Sequence, residues 1–457
     1  MSKVIKLKKG FDINLAGKAA LQLTEHHPET VAIKFDDFPG MYRPKIVVKE
    51  GDTVKAGSAL FFDKAMEDVI YASPVSGEVI AVHRGEKRKP IEIVILCDRT
   101  IQYQEHRKFT ISEIANLSAE DALTHMVGSG VWVQVIQRPF GIVANPHLAP
   151  RDIFISTFDT SPLAPDYEFI FKGQEQYFQV GIEILRKVGK CDIHLGINAA
   201  AEVSKVFGSV NNVRIHKFMG PHPAGNVGVQ IHHIAPINKG DIVWTLHPYG
   251  VIQIGKLFLE GRYDASKIIA VAGSEVKQPQ YYKTFTGANI SKLVANNLKS
   301  QHVRFISGNV LTGCKIEANG HLGFYDHLLT VIPEGDKPRF FLTEGWLAPV
   351  TNRLSFHRAF GLLSFLNSKT KEYVLDTSTN GEERAFVMTG AFEQVVPMDI
   401  LPLHLIKAIL ANDYDGMEAL GIYEVIEEDL ALCEFIDVSK QPIQQIIRQG
   451  INMMRES

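Results

Sequence analysis

Cysteine is scarce in this chain. Four occur in 457 residues, Cys97, Cys191, Cys314 and Cys433, and none stands near another. That spacing argues against a disulfide framework, a zinc site of paired cysteines or an iron–sulfur site built from local thiolates, and a reducing compartment fits it best. Long apolar runs are missing too. No stretch reaches the ~18 consecutive apolar residues that cross a bilayer, and the start, MSKVIKLKKGFDINLAG, alternates lysine with apolar residues where a secretion signal needs an apolar core. If the chain works at a membrane, another subunit must hold it there. Charge of one sign is lacking as well: 48 Lys and Arg face 51 Asp and Glu, for a net −3, so there is no basic field to draw the chain to nucleic acid.

Catalytic signatures are equally absent. There is no G-x-x-x-x-G-K-[ST], no G-x-S-x-G and no H-E-x-x-H. The stretch GPHPAGNVG, residues 220–228, has the wrong glycine spacing for a dinucleotide fingerprint and reads as a turn with two prolines. His222, His232, His233 and His247 cluster in sequence. On a strand, His232 and His233 would point to opposite faces and could not share one ion; hydrogen-bonded or solvated roles are expected, and no metal.

What is present is the composition of an ordinary globular protein, 45% hydrophobic and 22% charged. The length exceeds one core and predicts several domains, and the expected class is α+β multidomain. Residues 1–100 contain short alternating strands, KIVVKEGDTVKAGSALFFD and VIYASPVSGEVIAVHRG, broken at Gly51-Asp52, Gly57 and Ser76-Gly77. Residues 101–255 alternate apolar β-branched runs (VWVQVI, DIFIST, CDIHLGI, DIVWTL) with the helix-period stretch EQYFQVGIEILRKVG, which predicts an α/β domain on a mainly parallel sheet. In residues 256–335, KIIAVAGSEV and VRFISGNVL flank an expected helix, ISKLVANNL, as in a small β-grasp unit. Residues 336–457 turn helical, with SFHRAFGLLSFLNS and MDILPLHLIKAILAND at helical spacing. From Asp399 onward 11 acids face 4 Lys or Arg, an acidic run expected to face solvent or a basic partner.

The first segment resembles the barrel-sandwich hybrid of lipoyl and biotinyl carriers. In a carrier the hairpin between those strand phrases presents a modifiable lysine; here it reads FFDKAMEDVIY, where Lys64 lies off the carrier position, which aligns near Met66. The order carrier-like barrel, Rossmann-like α/β domain, SLBB-like β-grasp and helical end is similar to the C subunit of the Rnf complex and to the flavin-carrying subunit of respiratory complex I. In those relatives a glycine-rich loop lets backbone approach the flavin phosphate. The matching place here, SGVWVQVIQRPFGIV at residues 129–143, is filled by Trp132, Val133, Gln134 and Val135, so an FMN phosphate is not expected to fit. DIFISTFDTSPLAPDYEFI, residues 152–170, matches their acidic strand end. LALCEFIDVSKQPI holds Cys433 alone, with Asp437 where a second cluster ligand would stand.

Kept scaffold and lost cofactor sites, with the phrases IKLKKGFDINLAG, SGVWVQVIQRPFG, FISGNVLTG, GFYDHLLTVIPEGD, PMDILPLHLIKAIL and EEDLALCEFID in this order, resemble the A subunits of sodium-translocating NADH:quinone reductases. GWLAPVTNRLSFHRAF departs most from that form. The resemblance implies a peripheral subunit on the cytoplasmic side of the bacterial inner membrane. Its partners would be the other subunits, especially a membrane-embedded one, with NADH, flavins, an iron–sulfur centre, quinone and Na+ handled through them. No cofactor and no independent activity are expected of this chain itself.

A quinone slot needs apolar walls and donors for the carbonyl oxygens. Trp132 and Phe140 are candidate ring contacts, and Gln137 or Arg138 candidate donors. The same VWVQV also reads as a half-buried strand with Val131, Val133 and Val135 inward. A purely structural role is the alternative, with Trp346, Leu347, Phe356, Phe360, Leu362, Leu363 and Phe365 beside Arg353, His357 and Arg358 as a docking surface or as plain core. A free-standing flavin or NADH enzyme is the third reading.

Overall fold

The computed structural model describes residues 4–201, 204, 206–336, 340, 354–356, 368 and 370–457. The alternation in the first segment produces two facing sheets. Thr30–Lys34, Pro90–Cys97, Gly77–Arg84 and Thr53–Val54 lie side by side in one; Pro44–Ile46, Ala59–Asp63 and Met66–Ala72 form the other. Val31, Ile33, Ile93 and Ile95 are buried in register, as a period of two requires when one face meets the core. Phe61 and Tyr71 stack between the sheets at 4.6 Å. Buried Asp63 organises the hairpin tip by accepting backbone N–H groups of Tyr42, Arg43 and Ala65. Lys64 sits exposed on that turn, and Met66 opens the next strand.

Two strands from the first hundred residues leave the barrel. Val4–Lys6 pairs parallel with Arg214–Met219, and Ala20–Glu25 pairs with Gln280–Phe285. The N-terminal segment therefore laces the next two domains together.

The α/β domain carries a seven-stranded sheet in the order Val4–Lys6, Arg214–Met219, Asp192–Asn198, Asp152–Ser156, Val243–Leu246, Ile136–Arg138, Ile142–Val143. The first five are parallel, and Ile136–Arg138 pairs antiparallel with both Val243–Leu246 and Ile142–Val143. EQYFQVGIEILRKVG forms the helix Glu175–Gly189, burying Phe178, Ile182 and Leu185 on one face, and packs against the helix Pro248–Glu260. That second helix runs through the 255/256 border drawn from sequence.

VWVQV is not a strand. Val131–Gln134 is a 3-10 turn with all four residues buried, wedged against Met66–Ala72 of the barrel and the helix Pro248–Glu260. Gly130 enters it at φ +87°, where a Cβ would lie 2.4 Å from that of Ala72. β-branched residues favour strands only where a sheet edge receives them, and here burial on all sides overrides that preference. His232 and His233 likewise sit on a helix, Val227–Ile234, not a strand. Val227, Ile231 and Ile234 have the i, i+4, i+7 spacing that identifies it.

The β-grasp unit is a six-stranded sheet with its own smaller core. The expected helix ISKLVANNL shrinks to a single turn, Ser291–Val294. In the C-terminal region MDILPLHLIKAILAND yields the helix Pro402–Leu410, followed by Tyr414–Ala419, Ala431–Ile436 and Ile443–Glu456. These share one continuous core with the barrel and the α/β domain. Most of SFHRAFGLLSFLNS, and of the docking set Trp346, Leu347, Arg353, His357, Arg358, Phe360, Leu362, Leu363 and Phe365, lies outside the described residues. Phe356 is described and packs edge-on against Phe11 at 5.2 Å.

Candidate functional site at the strand ends

In an open parallel sheet the strand order reverses where the chain crosses from one side of its first strand to the other, and side chains leave a crevice outside the carboxyl ends there. In this sheet the reversal falls between Asp152–Ser156 and Val243–Leu246. A cavity of about 460 Å³ opens at that point, with Ser156 and Leu246 in its wall, and its size suits a small organic ligand. The β-grasp unit closes one side through Asn309, Leu311 and Thr312, and the C-terminal region another through Ile426, Glu428 and Arg448. A larger cavity of about 1140 Å³ runs along Leu354 to Phe356.

Of the four residues expected to contact quinone, only Arg138 reaches the smaller cavity. Trp132 is fully buried away from it; its Nε1 donates to the carbonyl of Ala144 at 2.7 Å and its ring meets Trp244 edge-on. Gln137 is buried, and its Oε1 accepts from the N–H of Asn145. Phe140 is likewise outside the wall, and its carbonyl accepts from Arg448 Nη1 at 2.7 Å. The ring contacts expected at Trp132 and Phe140 therefore do not line this slot, and for Trp132 the reason is the 3-10 turn that directs its ring into the core.

Arg138 is held by two carboxylates. Its Nη1 donates to Asp429 Oδ2 at 3.1 Å and its Nη2 to Glu428 Oε1 at 2.8 Å. Asp429 also lies over the first turn of the helix Val227–Ile234, where a Cβ on Gly228 would stand 2.5 Å from its carboxylate oxygens. Helix N-termini at strand ends are where doubly wound folds hold phosphates, since unpaired N–H groups and the helix dipole favour negative charge. Here the Asp429 carboxylate stands beside that first turn, its Oδ2 accepting from Arg138 Nη1 and from the N–H of Ile426, neither of which belongs to the helix. Arg448 is similarly held by both oxygens of Glu427. The acidic run EED thus does not simply face solvent: Asp429 is fully buried, and Glu428 keeps 39% of its side chain exposed. Partial desolvation by the surrounding protein, and then Asp429 beside it, raise the Glu428 carboxyl above the usual range.

The rest of the wall mixes apolar surface from Ile136, Phe158, Val227 and Leu246 with a few polar groups. Tyr167 Oη and His247 Nε2 lie 2.7 Å apart. Burial, and then the charge of Lys267, push His247 down to about 3, so its ring is neutral. Burial, and then the charges of Asp159 and Glu428, hold the Tyr167 phenol well above its ordinary value. His327 stacks on His247 with centroids 4.5 Å apart. His222, lowered to about 4 by burial, accepts or donates through Nδ1 to Thr160 Oγ1 at 3.1 Å. His232 and His233 lie elsewhere, held by Glu424 and by the carbonyl of Pro397. Among the described residues no group of three or more His, Cys, Asp or Glu is placed to hold a metal ion.

Sequence reading missed Tyr167, His247 and the pairing of Arg138 with the EED run. A signal for His247 existed: it ends the run DIVWTL and precedes Pro248, the pattern of a strand turning into a helix with proline in its first turn.

Domain models of one family match nearly the whole N-terminal two thirds. They are the NqrA N-terminal barrel-sandwich hybrid domain over residues 5–98, the NqrA second alpha/beta domain over 117–263 and the NQRA C-terminal domain over 268–318. Proteins named as the A subunit of Na(+)-translocating NADH-quinone reductase align end to end. The one from Neisseria meningitidis serogroup B (strain ATCC BAA-335 / MC58) is 37% identical over 99% of this chain and 100% of its own length. Those from Serratia proteamaculans (strain 568) and Pasteurella multocida (strain Pm70) are 36% and 35% identical over the same shares. This chain belongs to the NqrA family.

The family's barrel-sandwich hybrid and alpha/beta domains coincide with the two facing sheets and the seven-stranded sheet described above, so the fold class read from sequence holds. The cavity lies within the family's alpha/beta domain and borrows walls from the regions that follow it. A solved NAD+-reducing [NiFe]-hydrogenase aligns with a TM-score of 0.34 and 11% identity over 51% of this chain and 52% of its own; no functional conclusion rests on it.

Proposed function

We propose that this chain is the peripheral, cytoplasmic-side NqrA component of a sodium-translocating NADH:quinone reductase, contacting quinone in the cavity at the strand ends and assembling with the other subunits. NADH oxidation and the flavin and iron–sulfur steps belong to those subunits. The relatives' shared name supports membership of the complex. Among the described residues no helix is long and apolar enough to cross a membrane, which agrees with attachment through a membrane-embedded partner.

One observation carries the choice of ligand: both cavity arginines are already paired with carboxylates, and the buried Asp429 carboxylate stands beside the first turn of the helix Val227–Ile234, where it repels a second anion. A nucleotide phosphate would have to displace a buried ion pair, at a cost of several kcal/mol. A neutral ring with carbonyl oxygens needs only apolar wall and a donor. The second support is the filled 129–135 segment, where the buried side chains of Trp132, Val133 and Gln134 leave no backbone cradle for a flavin phosphate.

Photo-crosslinking of the native complex with an azido-quinone tests the reading. Labels are expected on wall residues such as Phe158, Val227 or Ile426. Labels confined to the other subunits would remove the quinone role and leave assembly as the chain's work.

A further inference from the structure

The cavity wall holds several hydroxyls, and most are already spent. Ser156 Oγ donates toward the carbonyls of Gly225 and Phe158, Ser161 Oγ toward Asp159, and Tyr325 Oη toward the carbonyl of Val133. Tyr167 differs, and the reason lies in the protonation of its neighbour. A backbone N–H can only donate, so the contact from Tyr249 N to His247 Nδ1, 3.2 Å, makes Nδ1 an acceptor without a proton. A neutral imidazole carries one N–H, which must then be on Nε2. That N–H donates to Tyr167 Oη across 2.7 Å. Tyr167 is therefore the acceptor in this pair, and its own O–H proton remains to be given away.

We propose that Tyr167 is the donor that binds a quinone carbonyl oxygen in this cavity, with His247 as the positioning residue that turns the phenol outward. The inference rests on the quinone reading above and goes further by naming the atom. His247 is fixed for the task from two directions, by the helix start at Tyr249 and by the ring of His327 stacked against it. The phenol stays protonated because the surrounding protein and the carboxylates of Asp159 and Glu428 disfavour phenolate. An accepted hydrogen bond from His247 also polarises the O–H toward a further acceptor, as in any donor chain. No such demand would arise if Tyr167 donated to His247, but that direction is closed by the Nδ1 contact. The apolar partners for the ring are Phe158, Leu246 and Ile136.

The test uses the full-length chain with duroquinone labelled with 13C at its carbonyls, read by infrared difference spectroscopy alongside equilibrium binding. Wild type is expected to bind and to lower the carbonyl stretch of one of the two C=O groups. Tyr167→Phe should weaken binding about fivefold, the loss of one neutral hydrogen bond, and return that band to its unbonded frequency. A merely structural loss would not shift the band of quinone that still binds. Thr312→Trp, a change at the exposed rim, should block entry. If Tyr167→Phe leaves affinity and band unchanged while Thr312→Trp abolishes binding, the donor assignment is overturned and the cavity reading stands. If wild type takes up no duroquinone, or binds it regardless of Thr312→Trp, the cavity reading falls and this inference with it.

Discussion

Arg138 Nη1 donates to Asp429 Oδ2 at 3.1 Å across 291 residues of sequence, with 2% and 0% of the two side chains exposed. This contact ties the antiparallel margin of the α/β sheet to the C-terminal region and sets a buried carboxylate beside the first turn of the helix Val227–Ile234. Removing Arg138 alone leaves Asp429 charged and buried, whereas removing both takes that charge away and leaves the smaller losses of the Glu428 contact and of the Ile426 N–H bond. Arg138→Met is therefore expected to destabilise the chain by about 3 kcal/mol, and Arg138→Met combined with Asp429→Leu to recover most of that. Urea denaturation of the wild type and the two variants checks it; a double variant as unstable as Arg138→Met would show that the pair is not what links the two regions.

Trp132 separates the slot inferred from sequence from the cavity found in the structure. Fully buried, with its indole N–H bonded to Ala144, it should behave as core. Trp132→Ala is expected to cost about 3–5 kcal/mol in folding stability, while Trp132→Phe, which keeps most of the volume, should fold and bind quinone with unaltered affinity. A selective loss of quinone affinity in a stable Trp132→Phe protein would return that residue to the site.

The folded state keeps His222 neutral, lowered to about 4 by burial. An unfolded histidine titrates near 6.5, so between about 6.5 and 4 the unfolded chain binds the extra proton. The contribution of His222 is thus fully present above pH 6.5 and lost as pH falls. Asp37, raised to about 6 chiefly by burial, acts in the opposite sense over part of this window. The comparison must therefore be differential: His222→Gln should flatten the acid-side decline by roughly 1.4 kcal/mol per pH unit at most. Denaturation at pH 5 and pH 7 measures it, and equal slopes for the two proteins would refute it.

The purified chain should be colourless. With Trp132, Val133 and Gln134 buried where a flavin cradle would lie, and Asp429 over the helix N-terminus, no flavin absorbance is expected in the visible spectrum. A stoichiometric yellow chromophore, or NADH turnover by the chain alone, would contradict both observations at once.

Cutting the chain near Asp336 does not isolate a docking surface. The helices Pro402–Leu410 and Ile443–Glu456 share the main core, and Asp429 and Glu427 neutralise Arg138 and Arg448. Such a truncation should misfold, giving no cooperative thermal transition; a truncated chain that melts cooperatively would show that the core divides at that point.

Local pattern was enough for the strands Ala59–Asp63 and Gly77–Arg84, for the helix Glu175–Gly189 with its 3.6-residue spacing, and for the layered order of domains, because those signals come from neighbours in sequence. Tertiary contact alone decided the rest. It turned VWVQV from strand to 3-10 turn, since residues buried on every side lose the two-faced pattern that marks a strand. It brought Arg138 to Asp429, and Tyr167 to His247 eighty residues away, because long-range ion pairs and hydrogen bonds carry no periodic trace along the chain. Hydrophobic spacing records which face is buried, but not what lies against it.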